Sequence, residues 1–390
     1  MLVSDLLQKS KRPLFHFGNG VRACVDECLN FVETHGIPFV TARNANDICQ
    51  SDHPLFVGRP GTFGQRGANF AVQTCDLYVG VGTRLSLTQT GYNTKDYARN
   101  AQIVQVDIDQ AELDKGTLRD PIRICMDAKA FIAELYQSDI PQMRPEWFQW
   151  FKQCRKWKEK YPVCLPEYKD QKWVNSYHFI DVLSEMCNEK DTIITDMGMA
   201  FQSTHQGWKV KKGQRLITNC GLAPMGWGLP AAVGAAFATG RRVLLITGEG
   251  GLMMNIQELA TVAHHKLNIK IFVFNNGGYA TIKQTQELGF QGRLMGVNKE
   301  SGLSFPSLNS LARSFDVWIS HIFDNSKLDE KMAFTLNHEG PILTQVQLSP
   351  DQPQAPRSLN RRNADGTMNP TKLEDSFPFL PPEVIAEEMK

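Results

Sequence analysis

Short apolar runs alternate with amphipathic stretches along most of the chain. Residues 14–17, 37–40, 76–81 and 103–108 are dense in apolar side chains and bounded by polar or glycine-containing segments, which predicts buried strands. Between the first two, Val25, Cys28, Leu29 and Val32 recur at helical spacing within 22–35, which predicts a helix. The pattern resumes further on. Strands are predicted at 192–195, 243–247, 269–275 and 342–346, with helices at 229–238 and 255–264. Strands that alternate with helices imply parallel sheets covered on both faces. The fold class expected is therefore α/β, as two doubly wound parallel-sheet domains in tandem.

Four segments follow from this pattern. Residues 1–145 form a first domain. Residues 146–175 break the alternation, being rich in Trp, Lys and Pro. There, 144–160 reads as one linker helix ending before Pro162 and pinned by Trp147, Trp150 and Trp157. Residues 176–350 form a second domain. Residues 351–390, rich in Pro, Asn and Arg, read as an extended tail packed on the body or on a partner. There is no internal repeat at solenoid periods.

Composition narrows the function classes. The 390 residues carry 42 Lys+Arg against 41 Asp+Glu, a net charge of +1, which argues against a nucleic-acid or anionic-membrane binder. No run of about 18 apolar residues predicts a membrane span, and the first residues lack the pattern of a signal peptide. The nine cysteines are scattered, odd in number and without a CxxC pair, a reduced cytoplasmic pattern. Cys24 and Cys28, four apart on a predicted helix, read as small core residues rather than metal ligands.

Candidate chemistry concentrates in 243–286, VLLITGEGGLMMNIQELATVAHHKLNIKIFVFNNGGYATIKQTQ. One buried strand ends in Gly248-Glu249-Gly250-Gly251 and the next in Asn275-Asn276-Gly277-Gly278. Ligands of open parallel sheets bind beyond the carboxyl ends of the strands. Glycines at 248, 250 and 251 let backbone N–H groups approach a phosphate. A carboxylate and an amide oxygen, with phosphate oxygens and water, suit Mg²⁺. These residues point to a metal-bound diphosphate.

The segment resembles the binding motif of thiamin diphosphate (ThDP) enzymes, which opens Gly-Asp-Gly and ends Asn-Asn. By that resemblance Glu249, Asn276 and the carbonyl of Gly278 hold the metal. The stretch 219–240, NCGLAPMGWGLPAAVGAAFATG, resembles the acetolactate-synthase version of this domain, which makes Met225 the apolar prop of the cofactor. Asp196-Met197-Gly198-Met199 resembles the loop that contacts the diphosphate. Tyr279, Ile282 and Gln286 fall on the helix that edges the substrate pocket, so Tyr279 and Ile282 join Met197, Gly198, Met199, Met225, Gly248, Gly250, Gly251 and Asn276 as cofactor-binding candidates. RPLFHFGNGV, the 52–85 stretch and VQVDIDQAELDK resemble the family's central domain in the expected order. The tail SLNRRNADGTMNPTKLEDSFPFL is similar to members linked to sugar and polysaccharide biosynthesis.

The resemblance implies decarboxylation of a 2-keto acid such as pyruvate and transfer of the acyl unit to a carbonyl acceptor. It also implies a homo- or hetero-oligomer. Two departures qualify it. The pyrimidine-binding domain that carries the family's activating glutamate has no counterpart here, so no catalytic residue is assigned in this chain. A separate pyrimidine-domain chain, or a missing N-terminal domain, is expected to supply it. Glu249 also replaces the metal-binding Asp. Together these raise the alternative of an inactive relic serving as a binding or assembly subunit. Ala200, Ala280 and Thr285 replace residues that lie near the diphosphate or shape the acetolactate synthase pocket, so the acceptor is expected to differ. The loops 58–66 and 82–93 lie where acetolactate synthases place FAD. Gly18-Asn19-Gly20 lacks the full dinucleotide fingerprint, and the reading weighs against FAD and against a nicotinamide-dependent dehydrogenase. Glu258, in mid-helix, reads as a structural cap or salt-bridge residue rather than a catalytic one, His264 and His265 as a solvated C-terminal turn of that helix, and His205 as a residue close to the diphosphate loop.

Overall fold

The computed structural model describes residues 2–362, 365 and 367–390. The chain forms two compact units, Met1–Val163 with Ala355–Lys390, and Cys164–Gln354.

The first unit is built on six strands: β1 Pro13–Phe17, β2 Phe39–Thr41, β3 Phe56–Gly58, β4 Leu77–Val81, β5 Gln102–Asp107 and β6 Ile122–Cys125. Their order is β3-β2-β1-β4-β5-β6 and every pairing is parallel. This is the doubly wound order in which the chain reverses direction of travel between β1 and β4. Phe15, Phe17, Val79 and Val81 face one core with Cys24, Cys28 and Phe31, while Leu14 and Tyr78 face the other.

The second unit holds β7 Thr192–Thr195, β8 Arg215–Ile217, β9 Val243–Gly248, β10 Ile269–Asn275, β11 Trp318–Ile322 and β12 Ile342–Gln347. Their order is β11-β12-β10-β9-β7-β8, again all parallel. Alternation along β10 divides its side chains cleanly. Ile269, Ile271 and Val273 pack with Leu259 and Val262 of the helix Glu258–His264. Phe272 and Phe274 meet Phe179 of the helix Ser176–Met186, with ring centroids 5.4 Å apart in each pair. Both faces of the strand are therefore buried, as its continuous apolar run predicts. Among the described residues no helix is long and apolar enough to cross a membrane.

The linker expectation is corrected. The helix Pro145–Lys160 is not a linker but part of the first unit. Trp147, Trp150, Cys154 and Trp157 line one face of it, and the indole N–H groups of Trp147 and Trp150 donate to Ser10 O at 3.0 Å and Pro13 O at 2.9 Å. A stripe at that spacing needs a core to bury it, and the first sheet provides one. The tail from Ala355 onward also folds into this unit and ends in a helix, Pro382–Glu388. Glu388 accepts from Trp157 Nε1 at 2.6 Å and Tyr161 Oη at 2.8 Å, and pairs with Lys160. Asn363, Ala364 and Gly366 of the tail motif lie outside the described residues.

Candidate functional site

β7, β9 and β10 are consecutive in the second sheet, so their carboxyl ends bring Asp196, Gly248-Glu249 and Asn275-Asn276 side by side. Each end continues differently. After β7 the chain turns at Gly198, with φ +77°, and enters the helix Met199–Gly207. After β9 it passes directly into the short helix Glu249–Met254. After β10 it turns at Gly277, with φ +75°, before the helix Ala280–Gly289. Positive φ at both turns favours glycine, whatever else the site requires.

Asp196 is 1% exposed and ties these pieces together. One carboxylate oxygen accepts from Met197 N at 2.9 Å. The other accepts from Gly226 N at 3.0 Å and from the Thr247 hydroxyl at 3.2 Å. Burial pushes its pKa up, and the hydrogen bonds from Met197, Gly226, Thr247 and Gly228 oppose that. Gly226 is held in turn by its carbonyl, which accepts from Asn255 Nδ2 at 2.8 Å. Thr247 and Asn255 were not among the sequence candidates. Their partners lie about 30 to 50 residues away in the chain, and no local pattern reports such a pairing.

Glu249 is 5% exposed. Its Oε2 accepts from Asn276 N at 2.9 Å and Gly277 N at 3.3 Å. Burial raises its pKa to about 7, against the effect of those two hydrogen bonds. Asn276 Oδ1 accepts from Gly278 N at 3.3 Å. The metal candidates thus form one connected turn, with Glu249 and Asn276 joined directly and Gly278 two residues on.

The glycines have protein reasons as well as ligand reasons. A Cβ on Gly250 would collide with the Tyr279 ring, whose Cδ1 and Cζ would lie 3.0 Å away. A Cβ on Gly251 would collide with the Asp196 carboxylate, whose Cγ would lie 2.9 Å away. A Cβ on Gly278 would run into Val297, with the carbonyl carbon at 3.1 Å. The side-chain space of Gly250 and Gly251 is therefore filled by Tyr279 and Asp196 rather than kept open for phosphate. Only their backbone N–H groups remain for that role. Tyr279 itself packs edge-on against Phe305, with centroids 5.7 Å apart.

The remaining candidates separate into those at the site and those away from it. Met225 stands next to Gly226 and is 37% exposed, and Ile282 is exposed on the helix after the Asn-Asn turn. Met197 and Gly198 lie on the β7 turn. Met199 sends its side chain into the apolar core with Phe179, leaving only its backbone at the turn. His205 is buried and stacked on Phe201, with centroids 5.4 Å apart. His264 and His265 close the helix before β10, and Glu258 accepts from the Thr261 hydroxyl at 3.2 Å in that helix's first turn. A cavity of about 510 Å³ adjoins the Asn276–Gly278 turn and is lined also by Trp173, Tyr279 and Lys283.

In the first unit the Gly18–Gly20 turn is explained by packing. It crosses the end of β4 so closely that a Cβ on Gly20 would lie 2.7 Å from Gly82 Cα, and one on Gly18 would strike Gly82. A 3₁₀ turn, Asn19–Cys24, follows it.

Comparison with known proteins identifies the family. Residues 196–346 match the family described as thiamine pyrophosphate enzyme, C-terminal TPP binding domain, and residues 2–135 match thiamine pyrophosphate enzyme, central domain. The chain belongs to the thiamine pyrophosphate (ThDP) enzyme family. It is similar to the acetolactate synthase large subunit of Cyanidium caldarium, at 32% identity over 87% of this chain and 58% of the relative. It is also similar to the acetolactate synthase isozyme 1 large subunit of Escherichia coli, at 29% over 89% and 60%. The probable acetolactate synthase large subunit of Methanocaldococcus jannaschii matches at 31% over 89% and 59%. The chain therefore spans about three-fifths of the length of these relatives.

Proposed function

We propose that this chain is the diphosphate- and metal-binding part of an acetolactate synthase-like enzyme. The reaction is decarboxylation of a 2-keto acid, with pyruvate the first candidate, and transfer of the acyl unit to a carbonyl acceptor. The observation that carries this reading is the junction of the β9 and β10 ends, where Glu249 is bonded to the Asn276 turn.

The donor chemistry fits the expected metal. Among the described residues there is no cluster of three or more His, Cys, Asp or Glu able to hold a metal. A cation at this turn rests instead on the Glu249 carboxylate, Asn276 Oδ1 and the Gly278 carbonyl. That all-oxygen set suits Mg²⁺, which keeps several waters and is commonly shared with phosphate oxygens. Backbone N–H groups of Gly250 and Gly251 and of the Gly198 turn are the donors for the diphosphate. Met225 is the apolar support beside them. When bound, ThDP supplies a thiazolium that takes up the electron pair released on decarboxylation. Glu249 releases its proton when a cation is bound, because a nearby positive charge favours the carboxylate.

A pyrimidine-binding domain, on another chain or a preceding segment, completes the site. Leu222, Met225, Met254 and Ile282, on the segments that build the site, are exposed and offer apolar surface to such a partner. The proposed assembly is an oligomer in the cytoplasm, where nine free cysteines stay reduced. FAD is not part of the reading, since Gly18-Asn19-Gly20 lacks the full dinucleotide fingerprint.

One observation favours a second reading, an inactive binding or assembly subunit. Glu249 already caps the amides of Asn276 and Gly277. Titration calorimetry with ThDP, with and without Mg²⁺, decides between the two. Mg²⁺-dependent binding that tightens in Glu249→Asp supports the enzyme reading. No binding by either protein, with a pyrimidine-domain partner present, supports the second.

A further inference from the structure

A hydroxyl that is not among the sequence candidates stands at the mouth of this site. Thr281 lies in the first turn of the helix Ala280–Gly289, five residues after Asn276. Leaving aside the adjoining residues of the chain, a Cβ built on Gly198 would find Thr281 Oγ1 at 3.7 Å as its neighbour among the described residues. Thr281 thus bridges the space between the β7 turn and the β10 turn. Its Oγ1 accepts from Gln354 Nε2 at 2.7 Å. Gln354 is 1% exposed and, among the described residues, its Oε1 has no hydrogen-bond partner, so the amide is held by this one side-chain contact.

The consequence is directional. A hydroxyl that accepts from one side has its own proton left to donate elsewhere. Gln354 fills the acceptor side of Thr281, so the Thr281 proton turns away from Gln354, and Gly198 is the neighbour on the open side. The group that fits is an anionic oxygen bound at the Gly198 turn. Charge-assisted hydrogen bonds of this kind are roughly twice as strong as neutral ones.

We propose that Thr281 is a phosphate-contacting residue of this site and that Gln354 is its positioning residue, orienting the hydroxyl through the Nε2 contact. This rests on the reading of the site as a diphosphate site. It adds a side-chain hydroxyl donor beyond the Asn-Asn end of the motif and a residue nearly 80 positions from Asn276 in the chain.

The test uses the full chain with Mg²⁺ and two probes, inorganic pyrophosphate and ThDP, measured by titration calorimetry. Thr281→Val, which keeps the shape and removes the hydroxyl, lowers affinity for both probes about tenfold. Thr281→Ser keeps the wild-type affinity. Gln354→Leu lowers affinity by a few-fold to about tenfold, and in the Thr281→Val background it has no further effect. Wild-type affinity in Thr281→Val overturns the proposal. Equal losses from Gln354→Leu in both backgrounds overturn the positioning role and leave Gln354 as packing alone. A wild-type chain that takes up neither probe overturns the diphosphate reading, and this proposal with it.

Discussion

Replacing Glu249 by Gln tests the chemistry of the site through stability alone. The carboxyl is buried, and its pKa rises from an ordinary 4.5 to about 7 on folding. The folded chain therefore holds this proton more tightly than the unfolded chain. The sign follows directly. The stabilising contribution is complete below about pH 4.5 and is lost as the pH rises to about 7 and beyond. At 1.36 kcal/mol per pH unit, the loss is on the order of 3 kcal/mol. The carboxamide of Gln still has an oxygen to accept from Asn276 N and Gly277 N, but it has no charge to desolvate. Without ligands, Glu249→Gln is therefore about as stable as wild type at pH 4.5 and more stable by on the order of 3 kcal/mol at pH 8. Urea denaturation of both proteins across that range, followed by circular dichroism, measures the difference directly. Other titrating groups are common to both proteins and cancel. With Mg²⁺ and ThDP added at pH 8 the order narrows or reverses, since wild type gains binding energy that the variant lacks. Parallel pH profiles of the two proteins would refute the claim that folding buries a strained carboxylate. Equal stabilisation by the ligands would refute Glu249 as a metal ligand.

Two further predictions concern packing. Gly250→Ala destabilises the second unit by about 1–3 kcal/mol because its methyl meets the Tyr279 ring, and Tyr279→Ala in the same chain removes most of that cost. Thermal melts of the two single variants and the double variant check this, and strictly additive effects would contradict it. Glu388→Ala strands the donors of Trp157 and Tyr161 and costs about 2–3 kcal/mol, read as an earlier unfolding transition with a changed tryptophan emission.

The strands that the apolar pattern predicts are the eight interior ones. Within the two six-stranded sheets, the four it does not predict, β3, β6, β8 and β11, are the edges. The reason is physical. An interior strand of a doubly wound sheet is buried on both faces and reads as a continuous apolar run. β6 alternates between partly buried and exposed residues, β8 and β11 each begin on an exposed residue, and β3 has only three residues. The Trp-rich helix shows a related limit. Its apolar stripe at Trp147, Trp150, Cys154 and Trp157 is legible, but the stripe does not say which sheet buries it.

The site divides along the same line, between what is contiguous and what is assembled. Glu249 and the Asn276 turn were legible because each follows directly on a strand whose burial is plain from its residues. Asp196 as a hub, Thr247, Asn255, Thr281 and Gln354 were not, because their partners come from distant parts of the chain. The glycines were legible for an incomplete reason. Gly250 and Gly251 would be required even in a chain that binds nothing, since Tyr279 and Asp196 occupy the space their side chains would need. A Gly-x-Gly-Gly run at the end of such a strand therefore reports close packing at least as much as phosphate. The groups that discriminate a working cofactor site from a packed remnant are those whose protein contacts leave chemistry unused. They are the Asn276 side-chain amide, the exposed Met225 and the Thr281 hydroxyl with its acceptor side already filled. The choice between enzyme and relic is better decided by substitution at these three than at any glycine of the motif.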